Sequence, residues 1–124
     1  MKKIILDTNF LISLCKFKVN LEEIDEVVDE PYQLFTLGLV VDELEKMSGL
    51  VSRDSRYAKI ALGLINLKKI KILSSDKINT DKAIINSADQ GTIVATNDIE
   101  LREKLKKLGI KTIYLRAKKH LGIN

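Results

Sequence analysis

Short apolar runs alternate with stretches of helical spacing along the whole chain, and few architectures accept that order. Lys3-Ile4-Ile5-Leu6 reads as a short buried strand, followed by a helix through Asn9 to Leu14 with Asp7 or Thr8 as its N-cap. Leu21, Ile24, Val27 and Val28 give the acidic segment Asn20 to Glu30 a helical spacing, and Pro31 breaks it. Gln33 to Leu37 predicts a second strand, Val41 to Met47 a helix closed by the turn Ser48-Gly49, and Ser52 to Leu67 the longest helix. Lys71 to Leu73 predicts a third strand, Thr80 to Asp89 a helix capped by Thr80, and Thr92 to Ala95 a fourth strand. A helix then starts at Asp98 and ends at Gly109 as its C′ residue, before a fifth strand at Lys111 to Leu115. Strands alternating with helices over short connections imply an α/β fold: a mostly parallel five-stranded sheet with helices on both faces. At 124 residues and 45% hydrophobic content the chain makes one domain, residues 1–124, with a single core.

Four acids punctuate this pattern. Asp7 closes the first strand, Glu43 lies in Val40-Val41-Asp42-Glu43-Leu44, Asp81 stands in the first turn of its helix, and Asp98 follows the fourth strand. Ligands of open α/β sheets bind beyond the carboxyl ends of the strands, where strand order reverses. If the first and fourth strands are neighbours, Asp7 and Asp98 meet although they stand at opposite ends of the chain. Glu43 and Asp81, near helix starts, can then enter the same crevice from either side. Singly, each acid reads as a cap or a first-turn helix acid; the joint pattern gives them weight. Gathered carboxylates repel one another, and a divalent cation relieves that conflict. Mg²⁺ and Mn²⁺ prefer such oxygen ligands, and they serve phosphoester hydrolysis by an activated water. The rest of the sequence fits that chemistry, with one histidine, one cysteine, no Gly-rich phosphate loop and no Cys/His cluster. Asp89 is set aside because it precedes the fourth strand, at the wrong edge. His120 falls in the basic tail, where an exposed, non-catalytic role is expected, and Tyr114 alternates with Ile113 and Leu115 as a packing residue.

The net charge of +4 is unevenly distributed. From Leu101 to Asn124 eight basic residues face the single acid Glu103, so the first hundred residues are net negative. Such a cationic end attracts a polyanion through counterion release. An ordinary solvated lysine-rich face is the competing reading. A lone cysteine excludes an internal disulfide and points to a reducing compartment. No apolar run approaches the roughly 20 residues of a membrane span, and a soluble, cytoplasmic protein is expected, without membrane contact.

Taken together, these segments resemble the PIN-domain ribonucleases, essentially end to end. Leu6-Asp7-Thr8-Asn9-Phe10-Leu11-Ile12 is similar to the first family motif, Val40 to Leu44 to the second, and Asp81 to Ala88 to the third. Val94-Ala95-Thr96-Asn97-Asp98-Ile99-Glu100-Leu101 is similar to the fourth, the most specific of them. The run Ala95 to Asp98, with Leu108-Gly109-Ile110 and Ile113 to Arg116, resembles the archaeal and eukaryotic branch linked to ribosomal-RNA processing, the Fcf-like branch. The resemblance implies a three-layer α/β/α PIN-like fold, a Mg²⁺- or Mn²⁺-dependent endoribonuclease, and Asp7, Glu43, Asp81 and Asp98 as its metal-coordinating catalytic acids. It further implies that Asn9, Thr96 and Asn97 orient those carboxylates or the attacking water, with Glu100 as an extra acid or a first-turn helix acid. RNA would meet Arg102, Lys106, Arg116, Lys118 and Lys119, mostly through phosphates. Two departures stand out. Asp81 is followed by Lys82, where the processing branch often pairs two acids, and Asp42 competes with Glu43, which is favoured because it immediately precedes Leu44.

The expected role is ribosomal-RNA processing, with a ribosome-assembly factor as partner. The alternatives are a VapC-type toxin with an antitoxin partner, a non-catalytic RNA-binding or assembly module, and a phosphatase or DNA nuclease using the same acids. Tyr57, Ile60 and Leu64 exceed what one small sheet can cover, which points to a homodimer.

Overall fold

A computed structural model of the chain describes residues 1–76 and 78–124. Its strands are β1 (Lys2–Leu6), β2 (Tyr32–Leu37), β3 (Lys71–Leu73), β4 (Thr92–Ala95), β5 (Lys111–Arg116) and β6 (His120–Ile123). Its helices are α1 (Thr8–Lys16), α2 (Ile24–Val27), α3 (Gly38–Ser48), α4 (Arg53–Leu67), α5 (Thr80–Ser87) and α6 (Ile99–Lys107), with a 3-10 turn at Leu21–Glu23. The sheet order is β3-β2-β1-β4-β5-β6. All neighbouring pairs are parallel except β5 and β6. The chain builds outward from β1 to β3, returns to the other side of β1 for β4, and so reverses its order between β1 and β4.

Ile4, Ile5 and Leu6 of β1 and Ile93, Val94 and Ala95 of β4 are all buried, as central strands covered on both faces must be. Each large side chain so enclosed contributes about 2 kcal/mol through the apolar surface it removes from water. Helix α4 turns Ala58, Ala61 and Ile65 inward at helical spacing. Of the three residues that pointed to a homodimer, Tyr57 and Leu64 pack against the core and only Ile60 is exposed. Among the described residues no helix is long and apolar enough to cross a membrane.

The sheet has six strands where the sequence led us to expect five. β6 pairs with β5 across the three residues 117–119, through a tight turn over 116–119 in which Lys119 N–H donates to the Arg116 carbonyl at 3.1 Å. Ala117 and Lys118, the central residues, have φ of 53° and 57°. A primed turn of this hand matches the strand twist but favours Asn and Gly, so these two residues carry strain and conceal the turn from sequence reading. Tyr114 of β5 faces Gly122 of β6, and a Cβ there would sit 2.8 Å from the ring carbon Cζ. Gly122 thus lets the ring lie flat across the last strand.

Three helices end alike. In α6, Gly109 adopts φ 75° while the Ile110 and Gly109 amides donate to the Leu105 and Lys106 carbonyls at 2.9 and 3.0 Å. This is a Schellman closure, with Ile110 and Leu105 buried together. Helices α1 and α4 close the same way, Val19 N–H reaching the Leu14 carbonyl and Ile70 N–H the Ile65 carbonyl, each at 3.0 Å. There the left-handed residue is a lysine, Lys18 at 55° and Lys69 at 52°.

Candidate active site

Asp7 leaves β1 in extended geometry and caps α1. Its backbone N–H still donates to the Ala95 carbonyl of β4 at 2.9 Å, so the position is locked into the sheet. One carboxylate oxygen accepts from Thr8 N–H, and the other from the Thr96 hydroxyl, both at 2.8 Å. Only 5% of Asp7 is exposed. Burial pushes its pKa up to about 6; the two hydrogen bonds oppose that rise, and Asp81 and Glu43 add repulsion to it.

Asp98 caps α6 just beyond β4, its Oδ1 accepting from Glu100 and Leu101 amides at 2.9 and 3.3 Å. Its own N–H donates to the Thr96 hydroxyl oxygen at 3.2 Å. Thr96 therefore links the two acids, giving its proton to Asp7 and accepting from the Asp98 backbone. Asn9 Oδ1 accepts from Asn97 N–H at 3.1 Å, and Asn97 Oδ1 accepts from Leu115 N–H at 2.8 Å. These amides tie the β4–α6 loop to α1 and β5, and hold its direction.

Glu43 and Asp81 arrive from helices. The Glu43 Oε1 accepts from the hydroxyls of Thr8 at 3.1 Å and Thr80 at 2.8 Å, which pins α3 to the starts of α1 and α5. Thr80 is not the cap of α5, contrary to the sequence expectation. Asn79 is, accepting from Lys82 N–H at 3.2 Å, and this frees the Thr80 hydroxyl for Glu43. Asp81 occupies the first turn of α5, its pKa raised first by burial, then by Asp98, with Lys104 opposing and Glu43 and Glu100 adding to the rise.

All four acids line one cleft of about 430 Å³ at the carboxyl ends of β1 and β4. Asp42 points elsewhere and is exposed. Asp89 lies at the opposite edge of the sheet, accepting from the Thr92 hydroxyl at 2.7 Å. Glu100 is exposed in the first turn of α6, near enough to Asp81 to affect its charge. His120 is exposed at the start of β6.

As the side chains stand, no three His, Cys, Asp or Glu residues among those described are close enough to grip one ion. Two of the acids are turned to donors within the fold, Glu43 to the Thr8 and Thr80 hydroxyls and Asp98 to the amides of α6. The donor set itself is all oxygen, which suits a hard divalent cation. Asp7 and Asp81, pushed towards protonation, have charge that such a cation would compensate.

The basic residues expected to meet RNA divide. Arg116, Lys118 and Lys119 gather at the β5–β6 turn. Arg102 lies flat on Tyr114, its guanidinium carbon 3.8 Å from the ring centroid and its Nε buried without a partner, so packing engages it. Lys106 stands eight residues along α6 from Asp98, roughly 12 Å from it at the helix rise, towards the far edge of the sheet. Sequence reasoning also missed Asp54, Lys16 and Phe17, which line the cleft. Asp54 is a first-turn acid of α4 with no motif around it, and nothing in the local sequence marks any of the three.

The fold recurs in known proteins. Residues 4–118 match the family model described as PIN like domain. The chain belongs to the PIN-like domain family. It is 36% identical over 129 aligned residues to Ribonuclease VapC4 of Methanocaldococcus jannaschii, covering 99% of this chain and 97% of that one. Among solved structures, the PIN domain endonuclease Utp24 superposes with TM-score 0.82 at 23% identity, covering 98% of this chain and 90% of the other. VapBC-1 from nontypeable Haemophilus influenzae aligns with TM-score 0.56 at 13% identity, over 85% and 93% of the two chains. These structural likenesses speak to the PIN fold, three layers around a mostly parallel sheet.

Proposed function

We propose that the protein is a Mg²⁺- or Mn²⁺-dependent endoribonuclease that hydrolyses RNA phosphodiester bonds. One observation carries the reading: four carboxylates from four separate elements line a single cleft at the reversal point of the sheet. RNA as substrate is supported by the full-length relative named a ribonuclease. Asp7, Glu43, Asp81 and Asp98 would hold the cation. When bound, it lowers the pKa of water and neutralises phosphate oxygens. Asp7 and Asp98 give the cleft a fixed floor, because Thr96 and the strand ends leave them little freedom. Thr8 and Thr80 orient Glu43, and Asn9 and Asn97 hold the loop that presents Asp98. Lys104, whose charge opposes the rise at Asp81, adds a cation at the same side of the cleft.

A labelled RNA incubated with Mg²⁺ or Mn²⁺ is expected to be cut internally, and chelation or Asp98→Asn is expected to abolish the cut. Cleavage indifferent to both would end the proposal. Ribosomal-RNA maturation, with a ribosome-assembly factor as partner, is the role supported by the run Ala95 to Asp98. A VapC-type toxin, held by an antitoxin, is the second reading, favoured by the identity to VapC4. Growth arrest on expression of the chain alone, relieved by Asp7→Asn, would select the toxin.

A further inference from the structure

At the end of the cleft away from the acids, α1 finishes in an arrangement that hydrolysis itself does not use. Asn9, Ile12, Ser13, Lys16 and Phe17 line the cleft at spacings of three and four, so one face of α1 forms its wall. From Asp7 to Phe17 the helix rise covers roughly 15 Å. Phe17 packs against the core on one side and is half-buried. The Lys16 ammonium stands 5.6 Å from the centroid of its ring, and the Lys118 ammonium 5.4 Å.

The two cations come from different elements, the last turn of α1 and the β5–β6 turn. Two like charges beside one partly exposed ring repel each other, and the ring returns little to either. The fold brings their backbones together, Lys16 in the last turn of α1 and Lys118 left-handed in the β5–β6 turn. Among the described residues lining the cleft, Lys16 is the cation and Asp54 and the four acids are negative; Lys118 reaches the same ring from outside that lining, and Lys104 stands near Asp81. The pair at Phe17 is therefore where, away from the acids, a phosphate entering this cleft is attracted. An aromatic face flanked by cations suits a nucleobase, which stacks on the ring while its phosphates meet the ammoniums.

We propose that Phe17, Lys16 and Lys118 seat one unpaired nucleotide of single-stranded RNA, a short way along the strand from the phosphodiester facing the acids. The proposal rests on the endoribonuclease reading. It makes the protein favour single strands, because a base in a duplex has no face free for the ring.

Fluorescence anisotropy tests it, using Asp98→Asn protein with Mg²⁺ so that RNA survives, and a short labelled single strand beside a duplex. Two variants are added separately to that protein: Phe17→Leu, which keeps apolar packing, and Lys118→Gly, which relieves the turn. Each is expected to weaken single-strand binding roughly tenfold. Lys118→Gly should also lower the slope of log affinity against log salt by about 0.7, with no fall in melting temperature. An abasic nucleotide at the seated position should erase the effect of Phe17→Leu. Unchanged affinity in both variants, equal losses on duplex and single strand, or no RNA binding by the parent would overturn the seat. Cleavage by the wild-type chain is read separately. Cleavage with binding indifferent to Phe17 removes the seat and keeps the nuclease, whereas seat-dependent binding without cleavage does the reverse.

Discussion

The two halves of the acid cluster are built differently. Asp7 follows β1 with its amide still bonded to the neighbouring strand and Asp98 caps α6 just beyond β4, both tied to backbone amides and to each other through Thr96. Glu43 and Asp81 ride on helices. Glu43 is steered by two hydroxyls, and what shifts Asp81 is burial and charge, with no hydrogen bond among the causes. A strand end within a ladder is fixed by the whole sheet, whereas a helix can slide or tilt by a fraction of a turn. The strand half is thus the rigid floor of the cleft, and the helix half is what a bound ion or substrate can draw in.

Removing the floor should cost most. Asp7→Asn is expected to reduce cleavage by about a thousandfold, several kcal/mol of lost transition-state stabilisation, read in steady-state kinetics. It should also flatten a pH dependence of the metal-free protein. The Asp7 pKa lies near 6 in the folded chain, above its ordinary 3.8. Its contribution to stability is therefore full below about pH 4 and is lost as pH rises through 6, about 3 kcal/mol in all. Melts in chelator from pH 4 to 8 should show that decline in the wild type and a shallower one in Asp7→Asn. An unchanged slope would mean that Asp7 is solvated and the floor less rigid than described.

Loosening the helix half should cost less. Thr80→Val leaves Glu43 with one hydroxyl donor, and a 10- to 100-fold loss in metal affinity or cleavage is expected, with stability changed by about 1 kcal/mol or less. Isothermal titration with Mn²⁺ separates the two effects. Were Thr80→Val as damaging as Asp7→Asn, the contrast between floor and helices would fail. Thr96→Val touches both floor acids and should fall between them, measured in the same titration.

The smallest effect is expected outside both halves. Lys69→Gly removes the left-handed strain that closes α4 and should stabilise the chain by about 1 kcal/mol, seen in urea unfolding, with cleavage unchanged. If cleavage rose with stability, the differences above would reflect global stability rather than how each acid is anchored.

Helix ends show why legibility was uneven. Gly109 announced the end of α6 because glycine meets no Cβ penalty in the left-handed region. The same closure at Lys18 and Lys69 carries no signal, since the burial of Val19 and Ile70 against their own helices outweighs local preference. The β5–β6 turn was hidden likewise behind Ala117 and Lys118, which is why five strands were expected and β6, with His120 at its start, was not. Thr80 looked like a cap because hydroxyls favour that place. Only the nearness of α3 shows that its proton goes to Glu43.

The sequence by itself determined the alternation of strands and helices, the apolar runs of β1 and β4, and the placing of acids just beyond those strands. Each depends on periodicity and on neighbours within a few residues. The reversal of strand order between β1 and β4, the antiparallel β6, the hydroxyl pair on Glu43 and the meeting of Lys118 with Phe17 were decided by tertiary structure. They join residues far apart in the chain, whose proximity is set by how buried faces pack, and packing is a property of the whole fold rather than of any segment in it.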